Sequence, residues 1–456
     1  MDTVTTRSPS MLERFQICKT VYNYYSNFSV ISQYSEEINL AKLSHALRNV
    51  ILENPVLGYN FFRIEDNDDA HDGKNFRLCP LDQVLFSDVV SIQQFTVDSE
   101  FLEYVNTIYF QVDVQKPLFK LLVSGKHIAL VFNHAYVDGN SASNFHVDLV
   151  HQLNKLDDEK IEILDVLVTK SELNGIPKSV EQLTNLFKPP LFYTVMAMVK
   201  RFLIPKWLKN LWSNFTYPNL VKYPLFRHLP IKPNTKVKYR IINIPTNECK
   251  SIIKFARENG TTFTPYFTGL SFVSFQKKMA TYLTKKPISM DCTVVIDGRR
   301  YFPELAQELK YQGCVTASDI IVEPVTNLGD TVRYINKVLT SDIQSRTRFH
   351  YVGLLKYINI FELYKSKIGT LGRPVFEVSN LGRVNESGID QLWFTQDNGF
   401  SSMITFSIIS TAKEGMNIVI GSLEEIEDIR NPETNNKLID EFTADLKSSL
   451  ISYTPL

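Results

Sequence analysis

Apolar residues recur along this chain with two periods, which predict a mixture of helices and strands. In INLAKLSHALRNVILENP, from Ile38 to Pro55, the apolar positions fall on one helical face and the proline ends the helix. PLFKLLVSG and HIALVFNH instead predict two strands joined by a tight turn at Gly125. The second strand is apolar almost without alternation, which is typical of a strand covered on both faces.

The second of these strands ends at His134 and leads into another predicted helix. Asp138 and Gly139 follow, and then NSASNFHVDLVHQLNKL carries apolar residues at helical spacing. Asn140 or Ser141 is expected to cap this helix. The histidine and the aspartate are therefore predicted to lie on a strand-to-helix connection. His146 is expected on the exposed side of the helix.

Proline and periodicity divide the chain into three ranges. Prolines interrupt regular elements between 155 and 236, so this range is predicted to be a crossover. Beyond it we expect strands at VKYRIINIP, ISMDCTVVID, CVTASDIIV, FEVSNLG, SSMITFSIIS and NIVIGSLEEI. Between the first two strands we expect a helix from Thr246 to Asn259, closed by Gly260. The last element is an amphipathic helix around Phe442. We predict an α/β or α+β protein with two similar halves, 1–154 and 237–456, joined by 155–236.

Composition supports a globular protein of this size. A length of 456 residues exceeds what one core usually holds, which favours two domains. Hydrophobic residues make up 44% and charged residues 21%, as in folded proteins generally. The 49 basic and 49 acidic side chains balance, so bulk charge does not recruit nucleic acid.

Cysteine and histidine spacing indicates neither a metal nor a disulfide. The 5 cysteines are scattered and form no CxxC pair, which favours a reducing compartment. His146 and His151 do not share a helical face, and HExxH is absent, so no metal site is predicted. The first 30 residues lack the apolar core of a signal peptide. We therefore expect a cytoplasmic protein.

The residues after the apolar strand are suited to proton transfer. An imidazole is the best general base near neutral pH, and a strand end fixes His134 while leaving one edge open. Asp138 can point back to the histidine or pair with a cation, and Gly139 relieves crowding where the chain turns. HxxxDG alone is only moderately informative, since eight histidines produce it by chance in roughly 3% of chains with average composition.

Together with its context, the pattern HAYVDG from His134 to Gly139 resembles the active-site motif of the CoA-dependent acyltransferase superfamily. That superfamily includes chloramphenicol acetyltransferase, the plant BAHD acyltransferases and the condensation domains. ERFQICKTVYNYYSNFSV, LRNVILENPVL and FEVSNLG look like the fungal alcohol acetyltransferase family within it. The likeness covers nearly the whole chain, apart from the range 155–236.

This resemblance implies a fold and an activity. We expect two chloramphenicol-acetyltransferase-like halves with a tunnel between them, and acetyl-CoA as a co-substrate rather than a permanently bound cofactor. His134 would act as the general base for an alcohol, giving an acetate ester. N-acetylation of a sphingoid-like amine and O-acetylation of a sterol are alternatives. We expect a monomer. A binding protein that keeps this fold without catalysing a reaction is the alternative to an enzyme.

The resemblance assigns structural roles to further residues. VVIDGRRYFPELAQELKYQGCV resembles the superfamily's DxRxR and YFGN elements, with Asp297 and Arg299 matching the first and Tyr301 departing from it. It implies that Arg299 pairs with Asp138, which would then be structural. The alternative is that Arg299 and its neighbour Arg300 are ordinary surface charges.

The sequence also offers candidate residues that could donate a hydrogen bond to the oxyanion or contact CoA. Ser379 and Asn380 in VSNLG resemble a family element that lines the tunnel, although a strand-end Ser-Asn is equally common in turns. Thr395, Gln396 and Asn398 in WFTQDNG are weaker candidates. The plant DFGWG element has no counterpart, which leaves the cofactor side less defined.

The range 186–212 is a candidate membrane-surface segment. LFKPPLFYTVMAMVKRFLIPKWLKNLW joins apolar and aromatic residues with five basic ones and no acidic one, as interfacial segments do. Its prolines limit any helix to about 15 residues, too short to span a bilayer. The alternative is a helix that faces the core. Peripheral contact would place the protein on the endoplasmic reticulum or on lipid droplets.

Overall fold

The computed structural model describes residues 6–24, 27–64, 72–157, 161–205, 207–208, 211, 218–233 and 235–456. Its strands are β1 (Asn27–Tyr34), β2 (Tyr59–Arg63), β3 (Phe76–Pro80), β4 (Gln83–Leu85), β5 (Val90–Ile92), β6 (Phe119–Ser124), β7 (His127–Asn133), β8 (Val166–Thr169), β9 (Val237–Ile244), β10 (Met290–Asp297), β11 (Val315–Val322), β12 (Phe376–Val384), β13 (Ile389–Gln396), β14 (Ile404–Thr411) and β15 (Gly415–Leu423).

Helices flank these strands. They are α1 (Met11–Val21), α2 (Leu40–Glu53), α3 (Phe86–Val89), α4 (Ser99–Asn106), α5 (Gly139–Asn154), α6 (Val180–Leu183), α7 (Leu191–Met198), α8 (Pro218–Lys222), α9 (Thr246–Glu258), α10 (Phe263–Phe275), α11 (Thr281–Leu283), α12 (Leu328–Ser345), α13 (Thr347–Gly353), α14 (Ile360–Lys367), α15 (Glu424–Glu427) and α16 (Leu438–Ile451). The predicted mixture of strands and helices is confirmed.

Two larger sheets organise the fold. The first has the order β13-β1-β7-β6-β5 and the second the order β11-β10-β12-β14-β15-β9. β13 is antiparallel to β1, with Phe28 opposite Gln396. The range 237–456 therefore contributes one strand to the sheet of the range 1–154. The domain boundaries at 154 and 236 stay a prediction. That prediction did not include a strand of one half that pairs in the sheet of the other.

Each sheet has its own hydrophobic core, and a third cluster joins them. α2 and α5 pack on the first sheet, and α10 and α16 pack on the second. Between the sheets, Ile31 and Trp393 of the first meet Tyr239 and Val419 of the second. The interface between the halves is thus partly built from packed apolar side chains.

Most predicted elements are present, and two local predictions were wrong. β7 is buried along nearly its whole length, as its apolar run predicts. Asp138 caps α5, whereas Asn140 or Ser141 was the predicted cap, because the helix already begins at Gly139. His146 is fully buried rather than exposed. Its two ring nitrogens lie 2.8 Å from the Tyr34 hydroxyl and 2.9 Å from the Val30 carbonyl oxygen.

The crossover leaves apolar side chains in solvent. α7 contains no buried residue, so the alternative of a core-facing helix was wrong for this element. Leu191 is 80% exposed, Phe192 77% and Trp207 67%. Among the described residues, no helix is both long enough and apolar enough to cross a membrane.

Candidate active site

His134 is the first residue beyond β7, and its neighbours hold the loop in place. The Asn133 side chain donates to the Thr20 hydroxyl on α1 at 3.1 Å and accepts from the Ala135 amide at 2.9 Å. The His134 ring lies 4.8 Å from the Phe28 ring of β1, measured between centroids. The imidazole is therefore positioned between α1 and the end of the first sheet.

The surroundings of His134 keep its imidazole neutral. Burial and, after it, the nearby charge of Lys19 lower its pKa to about 4, against an opposing effect of Asp138. At neutral pH the ring is therefore unprotonated and able to accept a proton. This is the state that a general base requires.

Asp138 is buried and fully engaged in structural contacts. It is 1% exposed and accepts hydrogen bonds from the Ser141 amide at 3.2 Å and from the Cys314 amide at 3.0 Å. Arg299 donates to both of its oxygens at 2.9 Å. Burial alone would raise the pKa of Asp138, but Arg299 together with the amides of Cys314 and Ser141 outweighs burial, and the pKa is lowered.

Arg299 reaches this aspartate from the far side of the interface. It follows β10 of the second sheet and also donates to the Leu309 and Gln312 carbonyls at 3.0 and 2.6 Å. Its side chain is 12% exposed, so the surface-charge alternative was wrong for Arg299; it fits Arg300, which is exposed. The structure brings together the two residues that the family resemblance pairs.

A second buried contact joins the same loop to α5. Lys310 and Tyr311 both donate to the Asp148 carboxylate, the tyrosine hydroxyl at 2.8 Å. Asp148 lies ten residues after Asp138, within the helix that Asp138 caps. The loop 298–314 is therefore attached at both the beginning and the middle of α5.

Gly139 serves close packing rather than a sharp turn. It does not have a positive φ, and a Cβ atom there would lie 2.7 Å from Leu381 Cδ2 and 3.3 Å from Phe394 Cζ. The expectation that Gly139 relieves crowding in the turn was thus wrong about the cause. The missing side chain instead lets the end of β12 and strand β13 approach the histidine loop.

β12 places Ser379 and Asn380 on opposite faces. Phe376 and Val378 belong to the second core, so by strand alternation Ser379 faces the first half. Ser379 is buried. Asn380 is exposed, donates to the Thr264 hydroxyl at 3.1 Å and accepts from the Gly382 amide at 2.9 Å. Only the serine faces the interface between the halves.

The remaining candidates on WFTQDNG have different positions. Asn398 is buried and donates to the Ser402, Met403 and Gly421 carbonyls, so it holds a loop. Gln396 donates to Glu377 at 3.2 Å. Thr395 lies opposite Ser29 of β1 and points away from the face that carries Gln396.

A polar cluster beside His134 was not predicted from the sequence. It consists of Lys19, Glu377, Asp397 and Ser401. Ser401 donates to Glu377, and the charge of Lys19 lowers the pKa values of both carboxyl groups against the larger raising effect of burial. These residues lie on three separate elements, and although Lys19, Glu377 and Asp397 fall within stretches named in the sequence analysis, none of those stretches indicates that they meet. Only the fold brings them together.

With this geometry described, the chain can be compared with known proteins. A family model described as alcohol acetyltransferase matches residues 10–449. Alcohol O-acetyltransferase 1 of Saccharomyces cerevisiae is 25% identical over 340 residues, which cover 66% of this chain and 61% of that protein. The match thus spans less than two thirds of the relative's length.

Solved structures share the fold at low sequence identity. TRI3 trichothecene 15-O-acetyltransferase from Fusarium sporotrichioides superposes with a TM-score of 0.64 at 12% identity, covering 97% of this chain and 94% of that one. The condensation domain of the monacolin K polyketide synthase MokA gives 0.60 at 10% identity and covers 98% of both chains. The expected two-domain acyltransferase fold is confirmed.

Proposed function

The chain belongs to the alcohol acetyltransferase family, and on that premise we propose that it transfers the acetyl group of acetyl-CoA to an alcohol. The observation that carries this proposal is the position of His134, whose ring lies 4.8 Å from the Phe28 ring at the end of the first sheet. Its loop is fixed to the second half by Arg299 through Asp138. Such an arrangement presents one base to two substrates that enter between the halves.

The proposed reaction is direct transfer with one base. His134 takes the proton from the acceptor hydroxyl as the oxygen attacks the acetyl carbonyl carbon. The tetrahedral intermediate then collapses, the carbon–sulfur bond breaks, and the CoA thiolate takes the proton back from His134. An acetate ester and CoA result, and no acyl-enzyme is formed.

We assign supporting roles to residues around the base. Ser379 is a candidate donor to the oxyanion of the intermediate, because it faces the first half from β12 and its hydroxyl is a hydrogen-bond donor. Asn380 is bonded to Thr264, so its proposed contribution is to hold the strand end rather than to contact CoA. Asp138 and Gly139 shape the histidine loop.

The same base permits other acceptors. N-acetylation of a sphingoid-like amine and O-acetylation of a sterol use the same proton transfer and remain alternatives. A non-catalytic role would make no use of a neutral imidazole in a buried site. The acceptor therefore has to be identified by experiment.

The test measures release of the CoA thiol from acetyl-CoA by the purified chain. Isoamyl alcohol, a sterol, a sphingoid base and an aromatic amine serve as acceptors. His134→Ala should lower turnover by about 10²- to 10⁴-fold with an unchanged melting temperature. His151→Ala is the matched control, because that histidine is exposed and hydrogen-bonds to Glu386, away from the His134 loop. Undiminished turnover in His134→Ala would remove it from the chemistry.

We further propose that the segment 186–212 contacts an anionic membrane surface. Leu186 and Phe187 at the start of the segment are buried, but beyond them Leu191, Phe192, Val195 and Met196 of α7 and Leu203, Trp207 and Leu211 are exposed. The sequence of the segment contains five basic residues and no acidic one; two of the five, Lys206 and Lys209, lie outside the described residues. Apolar side chains that enter the headgroup layer beside lysines that meet anionic lipid are typical of interfacial binding.

Vesicle sedimentation tests the membrane contact. The chain should pellet with vesicles of phosphatidylcholine and phosphatidylserine, and less with phosphatidylcholine alone. Replacing Leu191, Phe192 and Trp207 by serine should abolish pelleting. Replacing Ile64 and Ile92, which are also exposed but lie outside the segment, should not. Equal pelleting of both variants would contradict the proposal.

A further inference from the structure

Lys19 of α1 lies beside the His134 loop. The next residue, Thr20, accepts a hydrogen bond of 3.1 Å from the Asn133 side chain, and Asn133 directly precedes His134. The Lys19 ammonium nitrogen lies 4.9 Å from the centroid of the Phe15 ring. Lys19 and His134 thus each adjoin one member of the same hydrogen bond, and the charge of Lys19 acts on the His134 ring. The base therefore has a cation as its neighbour.

The face of β12 that carries Ser379 is directed toward the same place. Glu377 and Ser379 are two positions apart on this strand, so they share one face at a separation of roughly 7 Å. Gln396 donates to Glu377 at 3.2 Å and lies directly opposite Phe28 of β1. Opposite residues of paired strands share a face, and the Phe28 ring lies 4.8 Å from the His134 ring. Glu377 and Ser379 therefore approach the base from the second half.

The charged side chains around the base line a narrow recess. Lys19, His134, Glu377 and Asp397 are all half-buried. Burial is nevertheless the largest influence on each pKa: it lowers that of Lys19 to about 8 and that of His134 to about 4, and it raises those of Glu377 and Asp397. Groups that keep accessible surface while protein surrounds them border a space that substrates can enter.

The charge of Lys19 has a chemical use in this recess. Glu377 and Asp397 favour the charged ammonium, and Lys367 at the end of α14 opposes it. A cation beside His134 disfavours the imidazolium that forms when the base takes a proton. The same cation favours any negative charge that forms beside it, and this effect is strong where water is largely excluded.

We propose that the Lys19 ammonium, together with the Ser379 hydroxyl, stabilises the oxyanion of the tetrahedral intermediate. The inference rests on the proposed acetyl transfer. Attack of the acceptor oxygen on the acetyl carbon leaves the carbonyl electron pair on the carbonyl oxygen while His134 takes the acceptor proton. Collapse restores the carbonyl and expels the CoA thiolate, which receives that proton from His134. Lys19 keeps its own proton throughout and acts only by its charge.

The alkaline limb of the pH profile tests this role, because a lysine stabilises an oxyanion only while it is protonated. With the best acceptor of the panel, kcat/KM for acetyl-CoA should fall above pH 8, since burial lowers the pKa of Lys19 to about 8. Lys19→Arg keeps its charge at higher pH, so its limb should move upward. Lys19→Met should lower kcat/KM at pH 7 by about 10²- to 10³-fold, the usual loss of one oxyanion donor.

Asp397→Asn identifies the titrating group from the other direction. The carboxylate raises the pKa of Lys19, and it is ionised near pH 8 because its own pKa is about 6. Its removal should move the alkaline limb to lower pH, while asparagine can still accept from the Gly399 amide, which lies at 2.8 Å. Asp390→Asn is the control and should leave the limb in place, since Asp390 pairs with Lys413 at the other end of β13.

Opposite shifts in Lys19→Arg and Asp397→Asn support the inference even if Lys19→Met is unstable. A limb that neither variant moves would overturn it, as would full kcat/KM in a folded Lys19→Met. Absence of thiol release from the wild type with every acceptor would instead overturn the proposed acetyl transfer.

Binding then tests the oxyanion site without turnover. Trifluoroacetonyl-CoA adds water at its ketone and the hydrate can ionise, whereas acetonyl-CoA stays a ketone. Calorimetric titration at pH 7 should show that the wild type and Lys19→Arg bind the fluorinated compound at least about 10-fold more tightly than acetonyl-CoA, and that Lys19→Met does not. Equal preference in all three proteins would overturn the role of Lys19.

Discussion

Arg299 donates two hydrogen bonds of 2.9 Å each to the Asp138 carboxylate, although the two residues lie 161 positions apart in the sequence. The arginine follows a strand of the second sheet, and the aspartate caps the helix that begins beside His134. A paired guanidinium and carboxylate have a fixed relative orientation. The contact therefore ties the base of one half to the frame of the other.

This pair should be energetically coupled. Asp138→Asn and Arg299→Gln should each lower the free energy of unfolding by roughly 3–5 kcal/mol, because each leaves a buried charge without its partner. The double variant should lose less than the sum of the single losses. Chemical denaturation of the four proteins measures the coupling. Arg300→Gln is the neighbouring control and should change stability by no more than about 0.5 kcal/mol. Strictly additive losses would contradict the pairing.

Gly139 should tolerate no side chain while Leu381 keeps its position. Gly139→Ala should cost roughly 1–3 kcal/mol through overpacking against this leucine. Leu381→Ala in the same chain should restore part of the loss. Gly313→Ala is the control, since a Cβ atom there meets nothing within 4 Å. Thermal melting and thiol release report the two effects, and a stable Gly139→Ala would show that the loop adjusts.

The sequence predicted the elements whose pattern is local. Amphipathic α2 and α16 and the buried strand β7 follow from periodicity alone. β13 was not predicted as a strand, because its exchange into the first sheet depends on contacts with β1, far away in sequence. The burial of His146 was also missed, since its two polar partners belong to β1.

The candidate site divides in the same way. His134, Asp138 and Gly139 lie within six consecutive positions, so a motif identifies them. Lys19 and Asp397 lie on separate elements, and nothing near either residue in the sequence indicates that their charges act on the same site. Such residues become visible only when the fold brings their elements to one sheet end.

His146 should make stability depend on pH. Burial lowers its pKa from 6.5 to about 4 in the folded protein. Protonation therefore favours the unfolded chain, and the contribution of the neutral ring is complete above pH 6.5 and lost as the pH falls toward 4. The loss should be on the order of 3 kcal/mol.

The variant His146→Gln isolates this effect. Glutamine offers a donor for the Val30 carbonyl and an acceptor for the Tyr34 hydroxyl, but it does not titrate. Urea denaturation at several pH values should show a shallower decline below pH 6.5 than in the wild type. Other titrating groups contribute equally to both proteins, so the difference between the curves belongs to His146. Parallel curves would mean that His146 does not titrate on unfolding.

Lys19 should set the acidic limit of activity. Its charge, after burial, lowers the pKa of His134 to about 4. Lys19→Met removes the charge and should move the acidic limb of kcat/KM to higher pH, though not as far as 6.5, because burial remains. Lys19→Arg keeps a positive charge and should leave the limb near that of the wild type.

The profile is measured below pH 7, where Lys19 is charged, since burial lowers its own pKa only to about 8. NMR titration of the histidine rings follows the same event without turnover, with His134→Ala identifying the signal. A structural role for Lys19 would lower kcat/KM at every pH and leave the midpoint in place. A shifted midpoint in Lys19→Met that Lys19→Arg does not share follows the positive charge at position 19.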